Sequence, residues 1–511
     1  MKTFKNRVRR SAVQTQPTSE AATSRSRRPF PVIRGASLGH LFAPIDIASL
    51  VFFRIAFGVL MLWEVWIQFS NGLIQRNYID PTYHFTYYGF GWVQPWSGNG
   101  MYLHFLALGV LAVCIALGLW YRVSVVLFFV GFTYVFLLDQ ALYLNHFYLI
   151  CLVSFVMIFI PAHRAFSVDA LLRPGLRSGT APSWALFLLA AQMGIVYFYG
   201  GLAKLNGDWL RGEPMRTWLA AGTDFPVIGS LFTEEWMVYL FSYGGLLLDL
   251  LIVPLLLWRR TRLFAFAFVL AFHLANAQMF TIGVFPYLAI AATALFLPPS
   301  WPRRFAEFPR SLWRFLQRSP RPSAPERETE EQQAREGDVL AAQPNGLPER
   351  LRARQWLVVS LLGVFLAVQL LVPLRHFLYP GDALWTNEGY RFAWRMKLTD
   401  VQGTAVYQVT DPESGRTWEI YPRDHLTARQ AVYVMRFPDM ALQFGHVIAK
   451  SLQVRGYEQI EVRATVMASL NGRDPQPLID SNVDLAEQPR TLAPAPWILP
   501  LEEPLPSQAS G

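Results

Sequence analysis

Residues 44–68 have the sequence PIDIASLVFFRIAFGVLMLWEVWIQ, and this stretch decides the fold class. Its charged residues are Asp46, Arg54 and Glu64, and most of the others are apolar or aromatic. An α-helix needs about 20 consecutive apolar residues to cross the hydrocarbon core of a bilayer. The stretch therefore predicts a membrane-spanning helix that carries charged side chains within its apolar run.

Similar apolar runs recur along most of the chain. Of the 511 residues, 53% are hydrophobic and 16% are charged, whereas about 25% are charged in an ordinary soluble domain. Together the runs predict an α-helical polytopic membrane bundle of about nine spans. After residues 44–68, the predicted spans are 101–120, 122–138, 140–161, 184–203, 237–257, 262–281, 284–299 and 356–374.

The segments outside the spans differ in composition and divide the chain into domains. The start of the chain is rich in Ser, Thr and Arg, and RPSAPERETEEQQAREGD (321–338) is charged and contains proline. Both compositions are typical of disordered segments. The predicted domains are a disordered basic N-terminal tail (1–40), a transmembrane bundle (41–302), a charged cytoplasmic linker (303–354), a last transmembrane span (355–374), a soluble β-rich domain (375–490) and a Pro-rich tail (491–511).

The soluble domain is predicted to be mixed, with more strand than helix. Apolar and polar residues alternate in several short runs, which is typical of half-buried strands. Residues 426–455 have a helical pattern instead, although Pro438 should break or kink that helix because proline has no backbone N–H. The predicted strands are 390–398, 403–410, 415–421 and 459–468.

Basic residues mark one side of the predicted bundle. Residues 1–34 contain nine Lys or Arg and one acidic residue, and the loops after even-numbered spans are also basic. The positive-inside rule makes this side cytoplasmic. With an odd number of spans, the N-terminus is then cytoplasmic and the C-terminal domain extracytoplasmic. Because the net charge of +9 follows this pattern, we expect no nucleic-acid partner.

Lys204 is the first candidate for a functional residue, because ionisable side chains in or beside a span are costly. It follows VYFYGGLA at the end of the fifth predicted span. One interpretation is an interfacial anchor whose ammonium reaches toward water. The other is a desolvated lysine whose neutral amine acts as a general base.

Two histidines are further candidates. His146 lies in LYLNHFYL and His273 in LAFHLANAQMF, and each taken alone has a simpler interpretation as a hydrogen-bonded packing residue. The predicted topology, however, places both histidines and Lys204 in the outer half of the bundle. This common depth favours one shared catalytic site. Polar neighbours that we include as candidate substrate-binding residues are Asn145, Asn276 and Gln278.

Other polar residues give weaker signals. Asp249 lies inside a span and is expected to pair with an arginine or a histidine, and Arg54 and Glu64 to pair with each other or with the bundle. The sequence contains no HExxH motif, no GxGxxG motif that opens a helix after a strand, and no GxSxG motif. Metal hydrolase, dinucleotide oxidoreductase and serine hydrolase activities are therefore not expected, and we expect no metal.

Seven segments together carry a family resemblance. They are LNHFYL (144–149), SVDALL (167–172), GGLAKLNGDWLRGEPM (200–215), GGLLLDL (244–250), FHLANAQMFTIGVFPYL (272–288), LVPLRHFL (371–378) and LWTNEGYRFAWRMKL (384–398). In content and order they resemble the vitamin K-dependent γ-glutamyl carboxylase family and its bacterial relatives, which share the HTTM domain. The resemblance covers roughly residues 40–485.

This resemblance implies a vitamin K-dependent carboxylase-like enzyme. In the family, a lysine deprotonates a vitamin K hydroquinone, such as reduced phylloquinone or menaquinone. The anion reacts with dioxygen to give a strongly basic alkoxide, which removes a γ-proton from glutamate. The carbanion then adds carbon dioxide, and the quinone leaves as its epoxide.

The resemblance also assigns roles to residues of this chain. Lys204 matches the lysine base, and His146 and His273 match histidines that would stabilise the oxyanion and support the reduced quinone or the carbanion. Tyr390 and Trp394 fall in the segment that contacts the glutamate substrate. The implied partners are a membrane quinone and a Glu-containing polypeptide.

The chain departs from the animal enzyme in length and in cysteine content. It lacks most of the region that follows the glutamate-binding segment, and its two cysteines, Cys114 and Cys151, both lie in predicted spans. Two alternatives therefore stay open beside the carboxylase. One is a quinol epoxidase without carboxylation, and the other is a non-catalytic lipid- or quinone-binding HTTM membrane protein.

Overall fold

The computed structural model describes residues 38–280, 282–307, 351–457 and 459–505. The predicted basic tail (1–40) and charged linker (303–354) lie almost wholly outside these residues. The predicted Pro-rich tail (491–511) is described as far as residue 505. Within it, the backbone N–H of Leu499 donates to the carbonyl of Leu478, so this part of the tail packs on the preceding domain.

Helices form most of the described part of residues 38–300 and continue after residue 350. A small antiparallel sheet of β1 (Pro44–Asp46) and β2 (Thr180–Pro182) joins two of the loops. The helices are α1 (Ala48–Ser70), α2 (Gly100–Leu117), α3 (Tyr121–Leu138), α4 (Asn145–Phe159), α5 (Val168–Leu172), α6 (Ser183–Ala203), α7 (Gly207–Leu210), α8 (Met215–Ala220), α9 (Glu235–Leu257), α10 (Arg262–Met279), α11 (Phe285–Thr293) and α12 (Ala353–Leu371).

Seven helices in the described part of the chain are long and apolar enough to cross a bilayer. They are α1, α2, α3, α6, α9, α10, and α12 together with the 3₁₀ helix that extends it to Leu378. The predicted spans 140–161 and 284–299 correspond to shorter apolar helices, Asn145–Phe159 and Phe285–Phe296. The protein is therefore an integral membrane protein, and the predicted fold class of a helical membrane bundle is confirmed, whereas the count of about nine spans stays a prediction.

Glycines allow two close helix crossings in this bundle. A Cβ atom at Gly58 of α1 would lie 2.6 Å from the backbone nitrogen of Ala116 in α2, and one at Gly201 of α6 would lie 3.0 Å from the backbone nitrogen of Leu250 in α9. Small residues at such crossings let membrane helices approach closely, since packing rather than the hydrophobic effect drives their association. The second crossing places the end of α6, and Lys204 with it, beside α9.

Arg54 and Glu64 do not pair with each other, which corrects one of the two expectations for α1. Arg54 is fully buried and donates to the backbone carbonyls of Ala162 and Phe166. Glu64, nearly three turns further along α1, accepts a hydrogen bond from Gln68. Arg54 therefore fixes the loop after α4, and Glu64 belongs to a different part of the bundle.

Four antiparallel strands form the sheet of the C-terminal domain. They are β3 (Val401–Asp411), β4 (Arg416–Ile420), β5 (Glu461–Leu470) and β6 (Gln476–Pro477). The spatial order is β4–β3–β5–β6. In the central pair, Tyr407 lies opposite Ala464 and Val409 opposite Val462, and all four are buried. The predicted strands 403–410, 415–421 and 459–468 are confirmed to within two residues.

Three helices cover the buried face of this sheet. The predicted helix 426–455 is divided as its proline suggested, because Pro438 begins a new helix. The hydroxyl of Tyr407 on β3 donates to the carbonyl of Ala441, which ties the sheet to that helix. The three helices are α13 (Pro422–His425), α14 (Ala428–Val434) and α15 (Pro438–Gln453).

The predicted strand 390–398 is wrong. The segment has no strand pairing, and Phe392, Trp394 and Lys397 all have positive φ angles of 51–62°. That left-handed region is strained for residues with bulky side chains, so tertiary contacts must hold them there. The aromatic rings supply those contacts: Trp394 stacks on Tyr148 of the bundle at 5.0 Å, and the Phe392 ring lies 4.9 Å from the same tyrosine. Packing on the bundle overrides the alternating pattern.

Charged and polar contacts dock the C-terminal domain on the bundle. Arg473 donates two hydrogen bonds of 2.7 Å to the two carboxylate oxygens of Asp208, and Asn471 donates a third of 2.8 Å. Elsewhere, Gln430 of α14 donates to Asp139 at the end of α3. Because Asp208 lies in α7, the short helix that follows Lys204, this docking also fixes that part of the chain.

Candidate active site

A cavity of about 1020 Å³ lies between the bundle and the C-terminal domain. Its volume is at the upper end of the range of about 300–1,000 Å³ that is typical of ligand pockets. Side chains from α1, α4, α6, α9 and α10 line it, together with the irregular segment around residues 390–400 and with α14. The candidate residues that line it are Asn145, His146, Lys204, His273, Asn276 and Tyr390.

Lys204 caps the C-terminus of α6 and is almost buried. Its Nζ lies 2.5 Å from Oδ2 of Asp249 and donates to the carbonyl of Gly200 at 3.2 Å. The ring of Trp209 lies 5.4 Å from the ammonium. The partner of Asp249 is thus a lysine, and the expectation of an arginine or a histidine was wrong because the contact spans 45 residues of sequence.

His273 is held by a hydrogen-bonded chain. Its Nε2 lies 2.9 Å from the hydroxyl of Tyr197, which lies 2.9 Å from the hydroxyl of Thr293. Within the described residues, Nδ1 is buried and has no hydrogen-bond partner. A buried imidazole nitrogen is costly to leave unsatisfied, and His273 can therefore offer it to a bound molecule.

His146 faces the same part of the cavity from α4. The ring of Phe285 lies 6.0 Å from the His146 ring and 5.9 Å from the His273 ring, so the two histidines flank one phenylalanine. The His146 ring has no hydrogen-bond partner among the residues that the structure describes. Two imidazoles with available nitrogens, set in aromatic and apolar walls, fit a flat aromatic headgroup that carries oxygens.

Asn145 and Tyr143 connect the bundle to the irregular segment 390–400, which covers the cavity and is called the covering segment below. Asn145 donates to the backbone carbonyl of Arg395 at 3.1 Å and accepts from the Tyr143 hydroxyl at 3.0 Å. The same Tyr143 oxygen accepts from the backbone N–H of Phe392 at 2.7 Å. Asn145 is therefore placed to position the covering segment, whereas its neighbour His146 faces the cavity.

Two of the candidate residues do not line the cavity. Gln278 is exposed on α10, two residues beyond Asn276 and hence on another side of the helix. Trp394 is fully buried against Tyr148, and its Nε1 has no partner in the described structure. Trp394 therefore packs the covering segment against the bundle at Tyr148. Tyr390 is the aromatic residue of that segment that lines the cavity.

Four cationic side chains on the domain side of the cavity were not found from the sequence. Arg395 and Lys397 lie in the irregular segment, within the family-like segment 384–398, although neither was named as a candidate. Arg429 lies in α14 and Arg436 in the turn after it. Burial lowers the pKa of Lys397, and the neighbouring guanidinium of Arg436 lowers it further. Nε of Arg436 is buried and unpartnered among the described atoms. Together they make this side of the cavity attractive to carboxylates. The four are Arg395, Lys397, Arg429 and Arg436.

Two comparisons with known protein families agree with this geometry. The HTTM domain model matches residues 42–301, which is half of the chain. The model of the vitamin K-dependent gamma-carboxylase lumenal domain matches residues 354–504. No solved structure matches the chain. In the described ranges, no three His, Cys, Asp or Glu side chains are grouped so that they could hold a metal ion. The chain is an integral membrane member of the HTTM-containing vitamin K-dependent gamma-carboxylase family.

Proposed function

We propose that this protein oxidises a vitamin K hydroquinone with dioxygen to its epoxide and couples this oxidation to γ-carboxylation of glutamate. The observation that carries the proposal is the convergence of Lys204, His146 and His273 on one cavity that is walled by both matched domains. A quinone enters such a site from the bilayer, and an acidic polypeptide enters from the side of the soluble domain.

The membrane side of the cavity has the groups needed to hold the quinol. The available nitrogens of His146 and His273 can bind its oxygens, and Phe285 lies against both imidazoles. When bound, a vitamin K hydroquinone supplies, with dioxygen, the base strength that removes a γ-proton from glutamate. In these largely apolar surroundings, where the dielectric constant is low, the two imidazoles can stabilise negative charge.

The Lys204–Asp249 pair can accept the hydroxyl proton of the quinol. The pair has the same net charge whether its proton is on Nζ of Lys204 or on Oδ2 of Asp249, 2.5 Å away. In a low-dielectric site, the form in which both groups are neutral avoids two buried charges. With the proton on Asp249, the neutral amine of Lys204 is free to accept a proton as a general base.

The domain side of the cavity suits the glutamate substrate. Arg395, Lys397, Arg429 and Arg436 give it a positive charge, and Tyr390 lies among them. The guanidinium group of arginine can donate two parallel hydrogen bonds to a carboxylate, which fixes the orientation of the carboxylate. These side chains can orient a glutamate side chain toward the membrane side.

We further propose that the N-terminus is cytoplasmic and the C-terminal domain extracytoplasmic. Basic loops and the name of the matched lumenal domain support this orientation. Single cysteines at exposed positions test it: Glu413→Cys in the β3–β4 turn should react with a membrane-impermeant maleimide added to intact cells. Gly175→Cys in the loop after α5 should react only after lysis, and the opposite labelling would reverse the orientation.

The activity test uses purified protein in lipid nanodiscs with a reduced vitamin K, dioxygen, radiolabelled bicarbonate and a Glu-containing peptide. We expect both epoxide and labelled peptide. His146→Ala and His273→Ala should each reduce epoxide formation about 100-fold, the range for loss of an acid–base or electrostatic group. The exposed Lys450 of α15 supplies the control, and Lys450→Ala should match the wild type.

The same assay separates the alternatives. Epoxide without labelled peptide would indicate a quinol epoxidase that lacks carboxylation. Neither product, with quinone retained on the purified protein, would indicate a non-catalytic quinone-binding protein, and the ion pair of Lys204 with Asp249 gives that candidate its physical basis.

A further inference from the structure

Glu64 is a buried carboxyl group in the cavity that the proposed function does not use. It lies within the spanning helix α1, with 6% of its surface exposed, and it lines the cavity. Its Oε1 accepts from Nε2 of Gln68 at 2.8 Å, and Oε1 of Gln68 is buried and has no partner among the described atoms. An unpaired acidic group within a membrane is expensive and is therefore a candidate for function.

The carboxyl group approaches His146 across Gly283. The position that a Cβ of Gly283 would occupy is 3.8 Å from Oε2 of Glu64 and 3.9 Å from Nε2 of His146. Neither of these two atoms has a hydrogen-bond partner in the described part of the chain. A water molecule needs a polar site with two to four partners. Oε2 of Glu64 and Nε2 of His146 are two such partners, and both lie beside Gly283.

A polar track leads from Glu64 to the surface. Gln68 and Asn71 follow at intervals of four and three residues, which places them on one face of α1, and both line the cavity. Exposure increases from buried Glu64 and Gln68 on α1 to exposed Asn71, which caps the helix, and to exposed Arg76 beyond it. Water can therefore reach the carboxyl group without passing Lys204 or Asp249.

We infer that Glu64 and His146 form a second acid–base pair of the site, connected by a water at Gly283 and open to solvent along Gln68 and Asn71. His146 first accepts the second hydroxyl proton of the quinol on Nδ1, and the resulting imidazolium releases its Nε2 proton to the bridging water, which passes one proton to Oε2 of Glu64. The carboxyl group then releases that proton to water at the surface, and both groups return to their starting forms. This inference rests on the proposed function, in which His146 acts on the quinol.

Four substitutions test the pair in the epoxide assay. Glu64→Gln keeps the size and the hydrogen bond from Gln68 but cannot accept a proton, so kcat should fall about 100-fold while KM for the quinol changes less than about twofold. The kcat of Glu64→Asp should be at least about tenfold higher than that of Glu64→Gln. Gly283→Ala, which fills the gap, should reduce kcat about tenfold. Gly98→Ala is the matched control, because Gly98 has the same φ of +57° with nothing within 4 Å of its Cβ position.

A second readout does not depend on turnover. A cryo-EM map of the quinone-free protein that resolves ordered water should show density between Glu64 and His146, and the density should be absent in Gly283→Ala. Wild-type kcat in Glu64→Gln, or an empty gap in the wild-type map, would overturn the inference. If the wild type forms no epoxide, the proposed function fails, and the map alone still decides whether the two groups share a water.

Discussion

Nζ of Lys204 and Oδ2 of Asp249 form a buried ion pair 2.5 Å long, with each side chain only 10% exposed. The pair joins the end of α6 to the middle of α9, and the close approach of Gly201 to Leu250 permits it. Desolvation of two charges is compensated only when both partners are present. In the proposed function the pair shares a proton, and it is also a stabilising contact; the two roles can be separated.

Replacing both partners should restore stability without restoring activity. Lys204→Met and Asp249→Leu each leave one uncompensated buried charge and should each destabilise the protein by about 3–5 kcal/mol. The double variant removes both charges and should come within about 1 kcal/mol of the wild type. Thermal unfolding in detergent measures this, and the epoxide assay should show no activity in all three. A double variant as unstable as the singles would contradict the ion-pair account.

The bidentate contact between Arg473 and Asp208 should stabilise the docking of the C-terminal domain. Arg473→Lys keeps the charge but loses the fork geometry, and we expect a loss of about 2 kcal/mol, typical of hydrogen bonds to charged groups. A double-mutant cycle with Asp208→Asn should give a coupling energy of similar size. Protease cleavage of the C-terminal domain should also become faster. Strictly additive effects of the two substitutions would argue that the contact is not formed.

Lys397 should make the stability of the protein rise with pH. Burial lowers its pKa in the folded state, whereas the unfolded chain has the ordinary value of about 10.4. The unfolded state therefore binds more protons in the alkaline range, and stability increases as pH rises through the folded pKa toward the unfolded one. Lys397→Met should raise Tm at pH 7 by about 2 °C and lose part of the alkaline rise. The exposed lysine variant Lys450→Met should show neither change.

Tyr390 and Trp394 should differ in their effects on the glutamate substrate. Tyr390 lines the cavity, so Tyr390→Leu should raise KM for the peptide about tenfold, equivalent to about 1.4 kcal/mol. Trp394 stacks on Tyr148 and does not line the cavity. Trp394→Phe should therefore change the KM for the peptide less than about twofold and should mainly reduce thermal stability. Equal effects on KM would show that Trp394 reaches the substrate after all.

Much of the fold could be predicted from the sequence because hydropathy and turn residues act locally. The apolar runs gave helices at every predicted span, and Pro438 marked the start of α15. The alternation in residues 390–398 misled because it reflects rings that pack on the bundle at positive φ, as at Phe392, and not the two faces of a sheet. That distinction depends on contacts with Tyr148, which lies far away in the chain.

Part of the candidate site could also be predicted from the sequence, because hydropathy acts locally. Costly side chains in apolar runs and the common depth of Lys204, His146 and His273 pointed to a shared cavity. Their neighbours could not be predicted, because Asp249 reaches Lys204 through a helix crossing and Glu64 and His146 come together only beside Gly283. Two of the cations on the domain side, Arg395 and Lys397, come from a segment whose backbone no local pattern describes.

Chemical rescue of Lys204→Ala tests the central claim most directly. The account predicts that this variant loses epoxide formation by about 100-fold or more while it still binds quinone, measured by quenching of tryptophan fluorescence. Small primary amines such as methylamine should restore turnover in proportion to their concentration in Lys204→Ala and should not accelerate the wild type. Epoxide formation by Lys204→Ala at the wild-type rate without added amine would contradict the assignment of Lys204 as the base.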